Sequence, residues 1–439
     1  MKKVNYGATS EVFKDKKQAI KIIDMEIENP TDYDERFLSF CRETINVMSM
    51  GSISEYIINF LKIESTVEKT LIRMPLYDCD MFECKNNIPP SRYYTLFIRI
   101  LSGLYAFHQK GFIHRDISVN NILLKKKTYE PIIIDFGYSI FFPGRICACK
   151  DNLFGTMSFS APEILPNGYL SKYDASTDLW SLGVSILEFI IDEKLFGLTS
   201  KQIIEEYNKS VMYVLLEQFL PDYDIKESID DYYHFTNHYA DIQVKLNEHI
   251  EGKLEKFYDI PQFQDIKDLI INLIQVDPIK RKSSYSMIPD QILYKPSETI
   301  TNDLFLSIPA DEKRYCIKYF NYFFGDGSNS KEQKFIYTWI LHSYINKFGF
   351  IMDGHFARLF LVARFLASIE YPCHSGINKI HRFYSNVIQK NTPEFMSYVF
   401  AFLEKSNYSI IDVHPRIVKE VMNCDLSFDT EWYTSLFKN

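Results

Sequence analysis

The sequence lacks the features of a membrane protein, a secreted protein or a nucleic-acid binder. No uncharged apolar stretch approaches the roughly 20 residues that span a bilayer, and the segment ARLFLVARFLA is interrupted by Arg358 and Arg364. The basic start MKKVNYGATSEVF has no apolar run behind it, so we do not expect a secretory signal. The net charge is −8, which argues against nucleic acid or an anionic membrane surface as a partner.

Cysteine is scarce and irregularly placed. The chain has eight cysteines without a framework of spacings, so we expect free thiols in a reducing, intracellular compartment, cytoplasmic or nuclear. Cys147 and Cys149 form a lone C-x-C, and Cys79 and Cys84 lie further apart. No second Cys/His pair stands at metal-ligand spacing, which disfavours a zinc site.

The order of sequence patterns predicts an α+β protein with more than one domain. A chain of 439 residues is too long for one ordinary core. Residues 1–80 contain strand-like runs (VNYGATSEVFK, QAIKII, KTLIRMPL) around one helical segment. From about Ser91 helices dominate, while residues 112–165 are rich in loops and polar motifs. Residues 296–310 resemble a connector, and 311–439 read as amphipathic helices.

Three motifs follow one another in the middle of the chain: IHRDISVNNILL, IIIDFGYS and GTMSFSAPEIL. With the strand-like runs around the first two, they resemble the catalytic core of eukaryotic-type protein kinases, from about Asn5 to Arg281. The resemblance implies a two-lobed kinase domain over residues 1–295, with an N-lobe at 1–76 and a C-lobe at 77–295. It also implies ATP and Mg²⁺ as cofactors and a protein substrate.

The residues of these motifs suit phosphoryl transfer, which needs positioning and charge neutralisation more than covalent chemistry. Asp116 would orient or accept the proton of the attacking hydroxyl. Asn121 and Asp135 would hold Mg²⁺ through oxygen atoms, the ligands that this hard cation prefers. The competing interpretation is that Asp and Asn in loops are ordinary turn formers.

Upstream residues resemble the nucleotide-binding part of a kinase. Lys21 in QAIK corresponds to the lysine that contacts the phosphates, and Ala19 would lie against the adenine. Met74 would stand at the back of the adenine pocket, and Leu76 would supply hinge backbone groups.

Two further elements of this region match less closely. Glu43 would pair with Lys21 from a helix that is similar to that of cyclin-dependent kinases, with Glu35 as the competing partner. The glycine-rich loop is degenerate, because only one of its three glycine positions is a glycine. The loop pattern falls on Asn5, Gly7, Ser10 and Val12.

The activation and substrate segment resembles the serine/threonine class through GTMSFSAPE, in which Thr156 would bind the catalytic loop. Glu163 would pair with Arg281. Arg115 normally pairs with a phosphorylated residue, but PGRICACKDNLF contains no Ser, Thr or Tyr. We hypothesise that Asp151 supplies a fixed negative charge to Arg115, with a solvated loop aspartate as the alternative.

Ser118 departs from the pattern, because serine/threonine kinases usually carry a lysine there that contacts the γ-phosphate. The absence of this lysine removes a cation that would stabilise the charge developing on the transferred phosphoryl group. The alternative to an active enzyme is therefore a pseudokinase that binds nucleotide and partner proteins without turnover. A small-molecule phosphotransferase is a third interpretation, against which the intact GTMSFSAPE segment argues.

The C-terminal helices resemble a single cyclin box, in the order FIYTWILHSYINKFG, ARLFLVARFLASIEYP and TPEFMSYVFAFLEKSNYSIIDVHP. A generic helical bundle is the alternative. The positions where a cyclin offers Lys and Glu are Ile369 and Val399, so we expect an apolar, intramolecular contact with the kinase helix at Glu43. A kinase with an activator in the same chain resembles those of large DNA viruses, which would place it in a host cell.

Overall fold

The computed structural model describes residues 2–6, 10–15, 18–24, 54–65, 69–125, 127–141, 147–149, 156–165, 171–206, 210–295 and Tyr337. These residues fall into two compact units. The first contains the described residues of 2–24 and 59–76 and Tyr337, and the second contains 54–58 and the described residues of 77–295. Strands dominate the first unit and helices the second, which gives an α+β architecture.

The first unit is a five-stranded antiparallel sheet in the order β1-β2-β3-β5-β4. Its strands are β1 Lys2–Tyr6, β2 Ser10–Asp15, β3 Gln18–Asp24, β4 Lys62–Ser65 and β5 Lys69–Pro75. The central strand β3 pairs Val12 with Lys21 on one side, and Lys21 with Ile72 on the other. Because directly paired residues point to the same face of a sheet, these three side chains share one face.

Short strands in the second unit fix its loops. They are β6 Cys79–Asp80, β7 Phe112–Ile113, β8 Ile122–Leu124, β9 Pro131–Ile133, β10 Ile140–Phe141, β11 Cys147–Cys149 and β12 Ser171–Tyr173. Strands β6, β8 and β9 form one small sheet, while β7 pairs with β10 and β11 with β12. The apolar runs ILL and PII are largely buried, which holds the connecting loops in place.

The remainder of the second unit is helical. The helices are α1 Tyr93–Gln109, α2 Ala175–Ile191, α3 Ser200–Glu206, α4 Val211–Phe219, α5 Ile229–Asn237, α6 Tyr239–Leu254, α7 Phe263–Leu273 and α8 Pro278–Arg281. Helix α2 is apolar around most of its circumference and is the central helix of the core. It begins at Asp174, whose carboxylate accepts the Ser176 N–H at 2.7 Å, and ends at Asp192 in a left-handed conformation.

Gly183 lets α2 and α7 approach closely. A β-carbon on Gly183 would lie 2.7 Å from Cγ1 of Ile274 and 2.7 Å from Cβ of Leu273. Both residues are fully buried at the end of α7. The glycine is therefore required by the contact between the two helices, although glycine weakens a helix interior.

A buried ion pair braces the same region. Arg281 is fully buried and its guanidinium donates to both carboxylate oxygens of Glu163, at 2.6 and 2.9 Å. Its Nε donates to the Gln275 carbonyl at 2.5 Å, and the Trp180 ring centroid lies 5.0 Å from the guanidinium carbon. Bidentate geometry and satisfied donors offset the cost of burying both charges.

Cys79 and Cys84 contradict the prediction that all cysteines are free thiols. The structure joins Cys79, in β6, to Cys84 in a disulfide. The Cys84 N–H donates to the Asp80 carbonyl at 3.1 Å, and this turn brings the two cysteines together. Sequence spacing alone did not reveal the pairing, because a separation of five residues is common by chance.

The predicted connector at 296–310 and the cyclin-like helices of 311–439 lie outside the described residues, apart from Tyr337. None of the helices within the described part of the chain combines the length and the apolar character needed to cross a membrane.

Replacing Gly183 with alanine tests the close approach of α2 and α7. We expect Gly183→Ala to lower the free energy of unfolding by about 1–3 kcal/mol, because the new methyl group overlaps Leu273 and Ile274. The control is Gly252→Ala in α6, where a β-carbon meets nothing within 4 Å. It should stabilise the protein by about 0.5–1 kcal/mol through helix propensity. Equal effects in urea unfolding would contradict the packing argument.

Removing the charge of Glu163 tests the buried ion pair. Glu163→Gln should cost about 3–5 kcal/mol of unfolding free energy, because it leaves Arg281 buried without a counter-charge. The control is Glu130→Gln, which breaks the exposed Lys125–Glu130 pair at 2.7 Å and should cost about 0–1 kcal/mol. A loss at Glu163 as small as that at Glu130 would show that the buried pair is not structurally important.

Candidate active site

The loop after β7 carries the first candidate residues and bends sharply at Arg115. This residue has φ 67°, a left-handed conformation that costs a non-glycine residue about 1–2 kcal/mol. Asp178 of α2 holds the bend, because its two carboxylate oxygens accept the N–H of His114 at 2.7 Å and of Arg115 at 2.8 Å. The buried Asp178 therefore also fixes the position of the next residue, Asp116.

Asp116 is the centre of a hydrogen-bonded group. The Asn121 side-chain amide donates to the Asp116 carbonyl at 2.8 Å and to its carboxylate Oδ2 at 2.9 Å. The Thr156 N–H donates to the other carboxylate oxygen, Oδ1, at 3.2 Å. Both N–H groups of the Asn121 amide are used toward Asp116, which leaves its amide oxygen as the atom available to a cation.

Asp135 follows β9 and is brought beside this group. The Ile134 N–H donates to the Asn121 carbonyl at 3.0 Å, so the two motifs are joined through their backbones. Asp135 is left-handed, with φ 65°. Burial raises the pKa of the Asp116 carboxyl above its ordinary value, and the nearby charge of Asp135 raises it further. Two carboxylates and an amide oxygen therefore converge at one place.

Aromatic packing holds the loops that carry Asp116 and Asp135 in place. His114 and Phe136 are fully buried, with ring centroids 5.2 Å apart, and Phe107 of α1 packs against Phe136 at 5.3 Å. Nε2 of His114 lies 3.0 Å from the Ile134 carbonyl, so this nitrogen carries the proton that it donates.

The candidate nucleotide-binding residues lie together on the sheet of the first unit. Val12 pairs with Lys21, and Ala19 pairs with Met74, so all four occupy one face. Ala19 and Met74 are buried, whereas Lys21 is half-buried. Leu76 follows the end of β5 and is also half-buried. This face offers a cationic amine beside small and apolar side chains.

Several predicted residues lie outside the described part of the chain. They are Gly7 of the glycine-rich loop, the competing glutamates Glu35 and Glu43, and Asp151. The pairing of Lys21 with either glutamate and of Arg115 with Asp151 therefore stay predictions. Within the described residues, the Arg115 Nε donates to the Tyr138 carbonyl at 2.6 Å.

Sequence reasoning missed one residue near the site. His108, at the end of α1, binds the Asp178 carboxylate through Nε2 at 2.8 Å. It belongs to the segment FHQKGFIHRD and stands six residues before His114. The signal available in the sequence was a histidine within an otherwise apolar helical face, which is more often a core residue than a functional one.

The oxygen donors of this site suit Mg²⁺ that also binds another molecule better than they suit an ion held by protein side chains alone. Among the described residues there is no group of three or more His, Cys, Asp and Glu side chains that could hold a metal ion. The Asp135 carboxylate and the Asn121 amide oxygen leave several coordination positions for oxygen atoms of another molecule, as Mg²⁺ sites in phosphoryl-transfer enzymes do.

Comparison with known proteins agrees with the geometry. The family model described as a protein kinase domain matches residues 2–294. A candidate tyrosine-protein kinase of Caenorhabditis elegans is 30% identical over 198 residues, which cover 42% of this chain and 53% of that protein. Testis-specific serine/threonine-protein kinase 3 of Mus musculus is 28% identical over 186 residues, 41% of this chain and 66% of the relative.

A candidate serine/threonine-protein kinase of Acanthamoeba polyphaga mimivirus is 32% identical over 124 residues, 28% of this chain and 22% of the relative. The chain thus spans about half to two thirds of the first two relatives and less of the third. The family model, in contrast, spans well over half of this chain. The protein belongs to the protein kinase family.

Proposed function

We propose that this chain is an active serine/threonine protein kinase, which transfers the γ-phosphoryl group of ATP to protein hydroxyls. The observation that carries the proposal is the group around Asp116. Its carboxylate accepts hydrogen bonds from Asn121 and Thr156, and the charge of Asp135 is close enough to affect its pKa. The serine/threonine assignment is supported by the segment GTMSFSAPE and by the mouse relative.

Each residue then has a distinct role. Asp116 orients the attacking hydroxyl and accepts its proton, while the Thr156 N–H keeps the carboxylate in place. Asn121 and Asp135 would hold Mg²⁺, and this ion would supply positive charge to the phosphates. Lys21 contacts the phosphates, and Ala19 and Met74 lie against the adenine. Leu76 supplies backbone groups to the base.

The second candidate function is a pseudokinase, which Ser118 favours. Ser118 is 4% exposed and replaces the lysine that contacts the γ-phosphate in the family. Against this alternative, Lys21, Asp116, Asn121 and Asp135 are all present. Since proton transfer and metal binding depend on those residues, we favour turnover at a reduced rate.

The C-terminal region is proposed to be a cyclin-like regulatory domain that acts on the kinase of the same chain. The order of its predicted helical segments supports this proposal, as do the apolar Ile369 and Val399 where a cyclin would offer charges. A covalent link raises the effective concentration of the two partners, so a weak interface suffices. The relative from a large DNA virus is compatible with a viral source.

The catalytic proposal predicts labelled phosphate transfer from ATP to a generic protein substrate in the presence of Mg²⁺. Asp116→Asn should lower kcat about 100- to 10,000-fold, because the hydroxyl proton loses its acceptor. Lys21→Met should lower kcat/KM about 100- to 1,000-fold, because a cation is removed from developing charge. Single-turnover transfer and nucleotide binding are measured for each variant.

The matched control is Lys14→Met on the same face of the sheet. Lys14 pairs with Ala19 and is exposed, so its loss should leave turnover within about twofold of the unaltered protein. Nucleotide binding without transfer in the unaltered protein would instead establish the pseudokinase.

Truncation after residue 295 tests regulation by the C-terminal region. If this region activates the kinase, the chain of residues 1–295 should lose most of its transfer activity, while its melting temperature remains that of a folded kinase domain. Adding residues 296–439 as a separate chain should restore activity only at high concentration. Unchanged or raised activity of the truncated chain would contradict activation by a cyclin-like domain.

A further inference from the structure

Three side chains form a hydrogen-bonded series that ends at the catalytic loop. The Tyr285 hydroxyl lies 2.5 Å from Nδ1 of His108, and Nε2 of His108 lies 2.8 Å from Oδ2 of Asp178. The side chains of His108 and Asp178 are 3% and 1% exposed. Tyr285 comes from the short helix that follows Arg281, a part of the chain far in sequence from the catalytic motifs.

The proton positions along this series follow from what each group can donate. Asp178 already accepts two backbone N–H groups, from His114 and Arg115. An ionised carboxylate can only accept hydrogen bonds, so Nε2 of His108 carries a proton, and in the neutral imidazole Nδ1 carries none. Nδ1 is then an acceptor, and the Tyr285 O–H is its donor.

The surroundings keep Tyr285 in the donor role. Burial raises the pKa of the Tyr285 hydroxyl well above its ordinary value, and the negative charges of Asp178 and Asp174 raise it further. The Tyr285 ring packs edge-on against Tyr105 of α1, with ring centroids 4.9 Å apart. The ring is therefore held by packing, while the hydroxyl makes the hydrogen bond.

The series matters because Asp178 stabilises the unfavourable left-handed backbone conformation of Arg115. Arg115 has φ 67° and directly precedes Asp116. A left-handed arginine persists only where neighbouring contacts over-determine it. If His108 turns or changes its tautomer, Oδ2 of Asp178 loses one of its two donors, and only the two backbone N–H groups of the bend still hold the carboxylate.

We propose that Tyr285 is a positioning residue for the catalytic loop: its hydroxyl fixes the Nε2–H tautomer of His108, which in turn fixes Asp178 and the bend before Asp116. This inference rests on the proposed function for its kinetic consequence, but the tautomer itself is independent of turnover. A merely structural role would require only the packing of the Tyr285 ring.

Tyr285→Phe separates the two roles, because it keeps the ring and removes the hydroxyl. We expect kcat to fall about three- to tenfold, the effect of one lost hydrogen bond, with the KM for ATP and for substrate unchanged. In full-length protein labelled with ¹⁵N-histidine, the His108 signals should shift from the Nε2–H pattern toward a mixture of tautomers. Loss of those signals in His108→Gln assigns them.

The matched control is Tyr223→Phe. The Tyr223 hydroxyl also donates to a buried carboxylate, Oδ1 of Asp231, at 2.8 Å. Tyr223 lies in the loop between α4 and α5 and Asp231 in the first turn of α5, both far in sequence from the catalytic loop. Its loss should lower the melting temperature and leave both kcat and the His108 signals unchanged.

The outcomes distinguish this inference from the proposed function. Absence of turnover in the unaltered protein overturns the kinase proposal, and the His108 signals then decide the inference alone. Unchanged His108 signals in Tyr285→Phe overturn the inference whatever the activity. Changed signals with kcat equal to that of the unaltered protein overturn the positioning role.

Discussion

Asp178 extends from the central helix of the larger unit into the bend of the catalytic loop, where its carboxylate accepts the backbone N–H groups of His114 and Arg115. Without these bonds, a left-handed arginine would relax toward ordinary backbone angles and take Asp116 with it. The remaining geometry depends on this anchor, since Asn121 and Thr156 reach Asp116 only while the bend is kept. The same carboxylate also accepts a hydrogen bond from His108, so both of its oxygens have hydrogen-bond donors.

The position of Asp178 depends on how firmly helix α2, which carries it, is packed. Helix α2 is held against α7 at Gly183, where backbone and side chains are too close for any β-carbon. At its beginning, the Ser176 carbonyl accepts from Arg281, whose guanidinium also binds Glu163 of the substrate segment. One helix therefore connects the core, the substrate segment and the catalytic loop, which explains why buried charges are retained there despite their desolvation cost.

Much of this protein could be predicted from local patterns. The HRD, DFG and APE motifs located the catalytic loop and predicted which residues would hold a metal ion, because these functions demand particular side chains at short, fixed spacings. QAIK was predicted to be a strand carrying Ala19 and Lys21, and the sheet register places Val12 and Met74 on the same face as these two residues. The disulfide between Cys79 and Cys84 was not foreseen, since it depends on a turn that spacing does not specify.

The sequence by itself determined the family, the order of the motifs and the identity of the chemical groups, because these are written in consecutive residues. Only the tertiary structure decided which distant residues support them. Tyr285 reaches His108 across 177 positions, a separation that leaves no periodic signal. The pair of Arg281 and Glu163, 118 positions apart, could be predicted only through the family resemblance. Such contacts arise from how helices pack, which depends on the shapes of many side chains together rather than on any short pattern.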